Sequence, residues 1–206
     1  YQGSGHNYYL LDVDPAVGRF VHIPWDLNEA FGNFNMGMTM AQLRVMPLDW
    51  VGGTAQARPL ITRLLQVSDW RDLFTHRIMV ALDTVFTEAW VDAEVSRLHG
   101  LISAAVQQDP NKLYSYQLYL ENQTNDVNLG TGTPGGSWAA GLRSFTRDRA
   151  VFARGVVGAT PHPTPSEIAD HLTGSQPLSG VPRLAADHDS DGAITITDLV
   201  RSANEQ

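Results

Sequence analysis

The residues with the clearest chemical signature are Asp187-His188-Asp189-Ser190-Asp191-Gly192-Ala193-Ile194-Thr195-Ile196-Thr197-Asp198. Their spacing fits the twelve-residue calcium loop D-x-D-x-D-G-x5-E, with aspartate in the last place. Carboxylates at positions one, three and five converge on a hard cation, and glycine at six makes the sharp turn. Ala193 offers its backbone carbonyl, Thr195 acts directly or through water, and Asp198 closes the shell. Being one methylene shorter than glutamate, Asp198 closes it more loosely. The plain reading of the same stretch is a solvated acidic turn; the specificity of the spacing favours Ca2+.

A second pair of oxygen donors is Asn7 and Asp26. Residues 7–26 read as a β-hairpin, with strand-like Asn7–Leu11 and Arg19–Ile23 joined by turn chemistry that includes Pro15 and Gly18. A hairpin brings Asn7 and Asp26 close together. Their oxygens can share a Mg2+ ion that bridges nucleotide phosphates, as an asparagine and an aspartate do in protein kinases. Periodicity alone leaves the alternative open that Asn7 is a turn residue and Asp26 a cap.

Other apparent signals weigh less. Gly130–Gly135 matches G-x-G-x-x-G literally, but no strand precedes it and Pro134 sits inside, so it reads as a plain loop. His76, His99 and His171 have no metal-ligand spacing and read as structural or solvated.

The elements that must position these groups are mostly helical. Residues 31–53 show no clean period and read as a long, partly irregular connection. Helical periodicity marks Ser68–Phe86 (Trp70, Phe74, Ile78, Ala81, Val85), Glu88–Val106 (Val91, Val95, Leu98, Ile102, Ala105), a short Leu113–Leu120, and Ser137–Arg154 (Trp138, Leu142, Phe145, Phe152), with each stripe facing a core. Residues 122–136 read as a polar loop. Thr164-Pro165-Ser166-Glu167 is a capping box with proline at the first helical position, opening a helix that ends near Gly174. Residues 175–182 read as a loop, and Leu199–Ala203 as the helix after the calcium loop. The expected division is a main body over 1–157, a Pro-rich linker at 158–164 and a calcium-loop segment over 165–206.

The whole-chain arithmetic bounds the partners. The chain has 206 residues, 43% of them hydrophobic, enough to bury a core. A net charge of −8 repels phosphate backbones, so nucleic acid is not an expected partner. No apolar run is long enough to span a membrane. Cysteine is absent, which removes disulfides, thiolate metal sites and cysteine nucleophiles. The opening at Tyr1 has no charged or apolar leader pattern, so the chain reads as a fragment or processed product. Lys112 is its only lysine.

Three stretches carry a family resemblance: His6-Asn7-Tyr8-Tyr9-Leu10, then Gly18-Arg19-Phe20, then Ile23-Pro24-Trp25-Asp26-Leu27-Asn28-Glu29-Ala30-Phe31-Gly32. Together they closely resemble the signature of the CotH kinases, spore-coat-type atypical protein kinases. Residues 59–65 and 141–149 are similar to later segments of that family, so the resemblance covers about 6–154. It implies an α+β, mostly helical fold: the C-terminal lobe of a kinase-like domain beginning with a β-hairpin, followed here by a small helix–calcium-loop–helix segment. It also implies ATP and a protein hydroxyl as substrates, with Asn7 and Asp26 resembling the family's magnesium ligands. Asn28 stands where the family often has aspartate. A catalytic-base aspartate is expected just upstream of Tyr1, because residues 2–5 contain no acid. The calcium loop and its following helix resemble one half of a dockerin module. A dockerin needs two such loops, so a cohesin-type partner is not supported, and the loop points to an extracytoplasmic location. The different reading is a non-catalytic surface or matrix scaffold whose working part is the calcium loop.

Overall fold

Aromatic and branched residues make the first two strands. In the computed structural model, which describes residues 7–16, 18–27, 30–32, 35, 37–52, 58–130 and 137–205, β1 (Tyr8–Asp14) pairs antiparallel with β2 (Arg19–Pro24). Tyr8 lies opposite Pro24 and Leu11 opposite Val21, with an irregularity between Asp12 and Asp14. The turn closes where the Gly18 N–H donates to the Asp14 carbonyl at 2.9 Å, with Gly18 at φ 67°. Strand alternation puts Tyr9, Leu11, Val21 and Ile23 on one face, where the Trp25 ring meets Tyr9 edge-on. That apolar face is open, its members 40% to 61% exposed.

The chain divides into two compact units, residues 1–59 with 86–152, and residues 60–85 with 153–206. The first holds the hairpin, α1 (Met40–Arg44), α4 (Glu88–Gln108), α5 (Tyr116–Asn122), β3 (Val127–Asn128), β4 (Trp138–Ala139) and most of α6 (Leu142–Val157). Its core is Leu43, Ala140 and Phe145, with Met38, Met40 and Met46 against them. The Arg44 guanidinium crosses this core to Asp126, at 2.6 and 3.0 Å, and its Nε lies 3.0 Å from Asp148. Arg149 reaches back from α6 to the carbonyls of Arg44 and Met46 and lies over the Phe152 ring.

The second unit holds α2 (Pro59–Leu64), α3 (Ser68–Asp83), α7 (Pro165–Thr173), α8 (Gly180–Ala186) and α9 (Ile196–Asn204). Here α3 packs along α8, and α7 against α9. Ile168 and Ala186 are fully buried, and the Ser202 hydroxyl donates to the Pro163 carbonyl at 3.2 Å. The Thr164–Glu167 capping box forms as expected, and Gly174 ends α7 in the left-handed conformation at φ 75°.

Several expectations are corrected. The interval 31–53 contains α1, and 122–136 contains β3. Gly180 and Pro182 fall inside α8, where a loop was expected to run to 182. Trp138 belongs to β4, not to the helix that follows. Six residues assigned to the core stripes, Trp70, Val85, Leu98, Ile102, Ala105 and Trp138, are instead exposed, and the buried members of α3 are Met79 and Leu82. The 130–135 glycine motif falls, from 131 on, outside the described residues, as does Asn28.

Candidate metal centres

The hairpin places the first pair of candidate ligands. Asn7 immediately precedes β1, and Asp26 follows β2 by two residues. The Trp25 N–H donates to the Asn7 carbonyl at 2.9 Å, so the ladder extends one step beyond the strands and holds the two segments side by side. Both Asn7 (φ 69°) and Asp26 (φ 57°) are left-handed, a conformation their short polar side chains tolerate better than most. After Asp26, the Ala30 N–H donates to the Leu27 carbonyl at 3.0 Å. Phe31, also left-handed at φ 58°, sets its ring edge-on to Phe145. Gly32 follows at φ 81°, where a Cβ would come within 3.0 Å of Leu43 and 3.2 Å of Phe145. The Phe31-Gly32 pair thereby anchors the segment after Asp26 to the first unit's core. This role went unread in the sequence, although an F-G pair in a methionine-rich stretch is a usable signal. A cavity of about 570 Å³ opens beside α1 and β4, lined in part by Met38, Met40, Asp126 and Trp138; neither Asn7 nor Asp26 borders it.

The single lysine is committed elsewhere. Lys112 Nζ donates to the carbonyls of Asp109 (2.8 Å) and Gln107 (3.3 Å), where it neutralises the C-terminal end of α4.

The second centre is the loop between α8 and α9. Asp187, Asp189 and Asp191 bring one carboxylate oxygen each to within 4.8 Å of one another. The backbone shapes this cluster. Ser190 (φ 58°) and Gly192 (φ 92°) are left-handed, and Asp187 accepts the N–H groups of Asp191 at 3.1 Å and Gly192 at 2.8 Å. Ala193 donates its N–H to Asp191 at 2.8 Å. Three like charges at that spacing repel by roughly 1 kcal/mol per pair in a water-like medium, and a hard cation removes the penalty. An all-oxygen donor set on a tight turn suits Ca2+.

Asp198 stands apart from that cluster. It is fully buried, and its two oxygens accept the N–H of His188 (2.8 Å), the N–H of Thr195 (2.8 Å) and the Thr195 hydroxyl (3.0 Å). Burial pushes its carboxyl up, but these hydrogen bonds outweigh burial and hold it below the ordinary carboxylate value. Thr195 caps α9 through the Thr197 N–H. Arg183, which the sequence reading passed over, donates from α8 to the Gly192 carbonyl at 3.0 Å. Of the histidines, His99 pairs its Nδ1 with the Tyr119 hydroxyl at 3.0 Å, and His171 accepts the Leu178 N–H at 3.0 Å, both structural roles.

No curated protein and no solved structure matches the chain. A family model, CotH kinase protein, matches residues 1–150, the span that contains the hairpin, Asn7 and Asp26, and the anchoring Phe31-Gly32 turn. The chain belongs to the CotH kinase protein family.

Proposed function

We propose that this chain is part of a protein kinase that moves the terminal phosphoryl group of ATP to a hydroxyl on a protein, with a calcium-binding segment at its C-terminal side. The observation that carries the reading is the mouth of the hairpin. Two oxygen-bearing side chains, Asn7 and Asp26, flank a backbone hydrogen bond there and lie in the family-matched span. A Mg2+ ion held by these oxygens would neutralise charge on the phosphates. Within this chain, Asn7 and Asp26 bind and orient, and the Phe31-Gly32 turn keeps the Asp26 segment in place. Lys112, the chain's only lysine, caps α4 and is not offered to the phosphates. The Ca2+ reading rests on the Asp187, Asp189 and Asp191 cluster with the Ala193 carbonyl, while Thr195 and Asp198, hydrogen-bonded to each other, close the loop onto α9.

The test offers radiolabelled ATP with Mg2+ or Mn2+ to the 206-residue chain, to the longer parent, and to the parent carrying Asp26→Ala. Label enters protein with the parent, falls by at least about a hundredfold in the variant, and is absent with the 206-residue chain. A fully active Asp26→Ala parent contradicts the metal assignment. A second reading, a non-catalytic scaffold at the cell surface with calcium as its ligand, is favoured by the commitment of Lys112 to a helix end; an inactive parent selects it.

A further inference from the structure

The calcium-loop helix does not hang free. Residues after 150 lie beyond the family match, yet α8 packs along α3, which lies inside it. One close approach marks the start of this packing, and a loop ligand stands at its end. At the start of α8, Gly180 is left-handed at φ 58°, and a Cβ there would sit 3.2 Å from the Asp72 carboxylate of α3. At its end, Asp187 caps α8 and is the first loop carboxylate. Ala186, between them, is fully buried. Within the loop, Asp187 holds the N–H groups of Asp191 and Gly192, and Arg183 of α8 grips the Gly192 carbonyl. The residue that ends α8 therefore also organises the carboxylate cluster, and the same short helix is the part laid against α3.

We propose that calcium taken up by the 187–198 loop is read out by α3: the ion fixes Asp187 and Gly192, this rigidifies α8 through Arg183, and α8 clamps α3 of the family domain. The proposal rests on the calcium reading above and extends it from a tail segment to an element inside the family-matched span. Its physical basis is linkage. A ligand that binds only the ordered loop stabilises every element whose opening requires the loop to open, by a factor of up to about 100 when the ion is at a hundred times its dissociation constant. Elements of the same unit not joined to α8 gain less.

Hydrogen–deuterium exchange of the 206-residue chain in EDTA, in millimolar CaCl2 and in millimolar MgCl2, run beside calorimetric titration with CaCl2, tests this. Calcium is expected to give binding heat and at least about tenfold slower exchange both in the loop and at Leu73–Val80 of α3. Asp187→Asn, which keeps an acceptor for the loop N–H groups but removes a charge, should lose the heat and both slowings. Arg183→Ala should keep the heat and the loop slowing while the α3 response shrinks. Binding heat and a slowed loop with α3 exchange unchanged overturn the coupling and leave the calcium reading standing. Absence of binding heat at millimolar calcium overturns both. An undiminished α3 response in Arg183→Ala overturns the route through that residue.

Discussion

Asp126 shows how one carboxylate can organise a core. Burial pushes its pKa up, but the Arg44 guanidinium and the Gly141 N–H hold the carboxyl below its ordinary value. A carboxyl depressed on folding contributes stability that is fully present above its unfolded value and is lost as pH falls through the folded one. Urea unfolding of the wild type and of Asp126→Asn should therefore differ fully above the ordinary carboxylate range and converge as the pH falls below it, through the depressed folded value. The difference on the plateau should be about 2 kcal/mol, because Arg44 loses a bidentate partner but retains Asp148 beside its Nε. A constant difference across that range would contradict the charge argument. Arg149, whose pKa burial lowers, remains tied to the Arg44 and Met46 carbonyls in either variant.

At the scale of elements, glycine positions along α6 separate packing from propensity. A Cβ at Gly141 would lie 2.4 Å from the Thr124 carbonyl oxygen, where backbone meets backbone at the start of α6. A Cβ at Gly155, near the end of the same helix, meets nothing within 4 Å. Gly141→Ala should cost about 3 kcal/mol in denaturant unfolding, whereas Gly155→Ala should gain up to about 1 kcal/mol. Equal effects would mean that the Gly141 junction is looser than described. Elements with local signals were legible in the sequence: the Thr164 box, the Gly174 end of α7, and the aromatic strands around Gly18. The hairpin itself was readable because it is local, and with it the pairing of the segments that carry Asn7 and Asp26. α1 was missed although Thr39 and Gln42 form a capping box, because a five-residue helix offers too little periodicity to register. α8 was hidden by Gly180 and Pro182, residues that ordinarily punctuate loops; their place against α3 is a tertiary matter. Trp70 and Leu98 followed a helical stripe that packing did not use, since periodicity names a face without naming what covers it. Asp198 was read as a ligand from spacing alone; its two backbone N–H partners, ten and three residues away, appear only in the fold.

For the whole molecule, the family match and the contact pattern cut the chain in different places. The match ends at residue 150, whereas the second compact unit joins residues 60–85 to everything from 153 onward. The 187–198 loop thus shares a unit with part of the family domain, while the hairpin and its candidate magnesium ligands belong to the other unit. The two proposed centres lie in different units, so each can be tested with its own ion. The central claim is that Asn7 and Asp26 hold the metal that accompanies ATP. The most direct measurement is paramagnetic broadening of backbone amide signals on adding Mn2+ and ATP to the calcium-saturated chain. The account predicts selective broadening at Tyr8, Trp25 and Asp26 that disappears in Asp26→Ala. Broadening confined to residues 187–198, or unchanged at the hairpin mouth in Asp26→Ala, would contradict it.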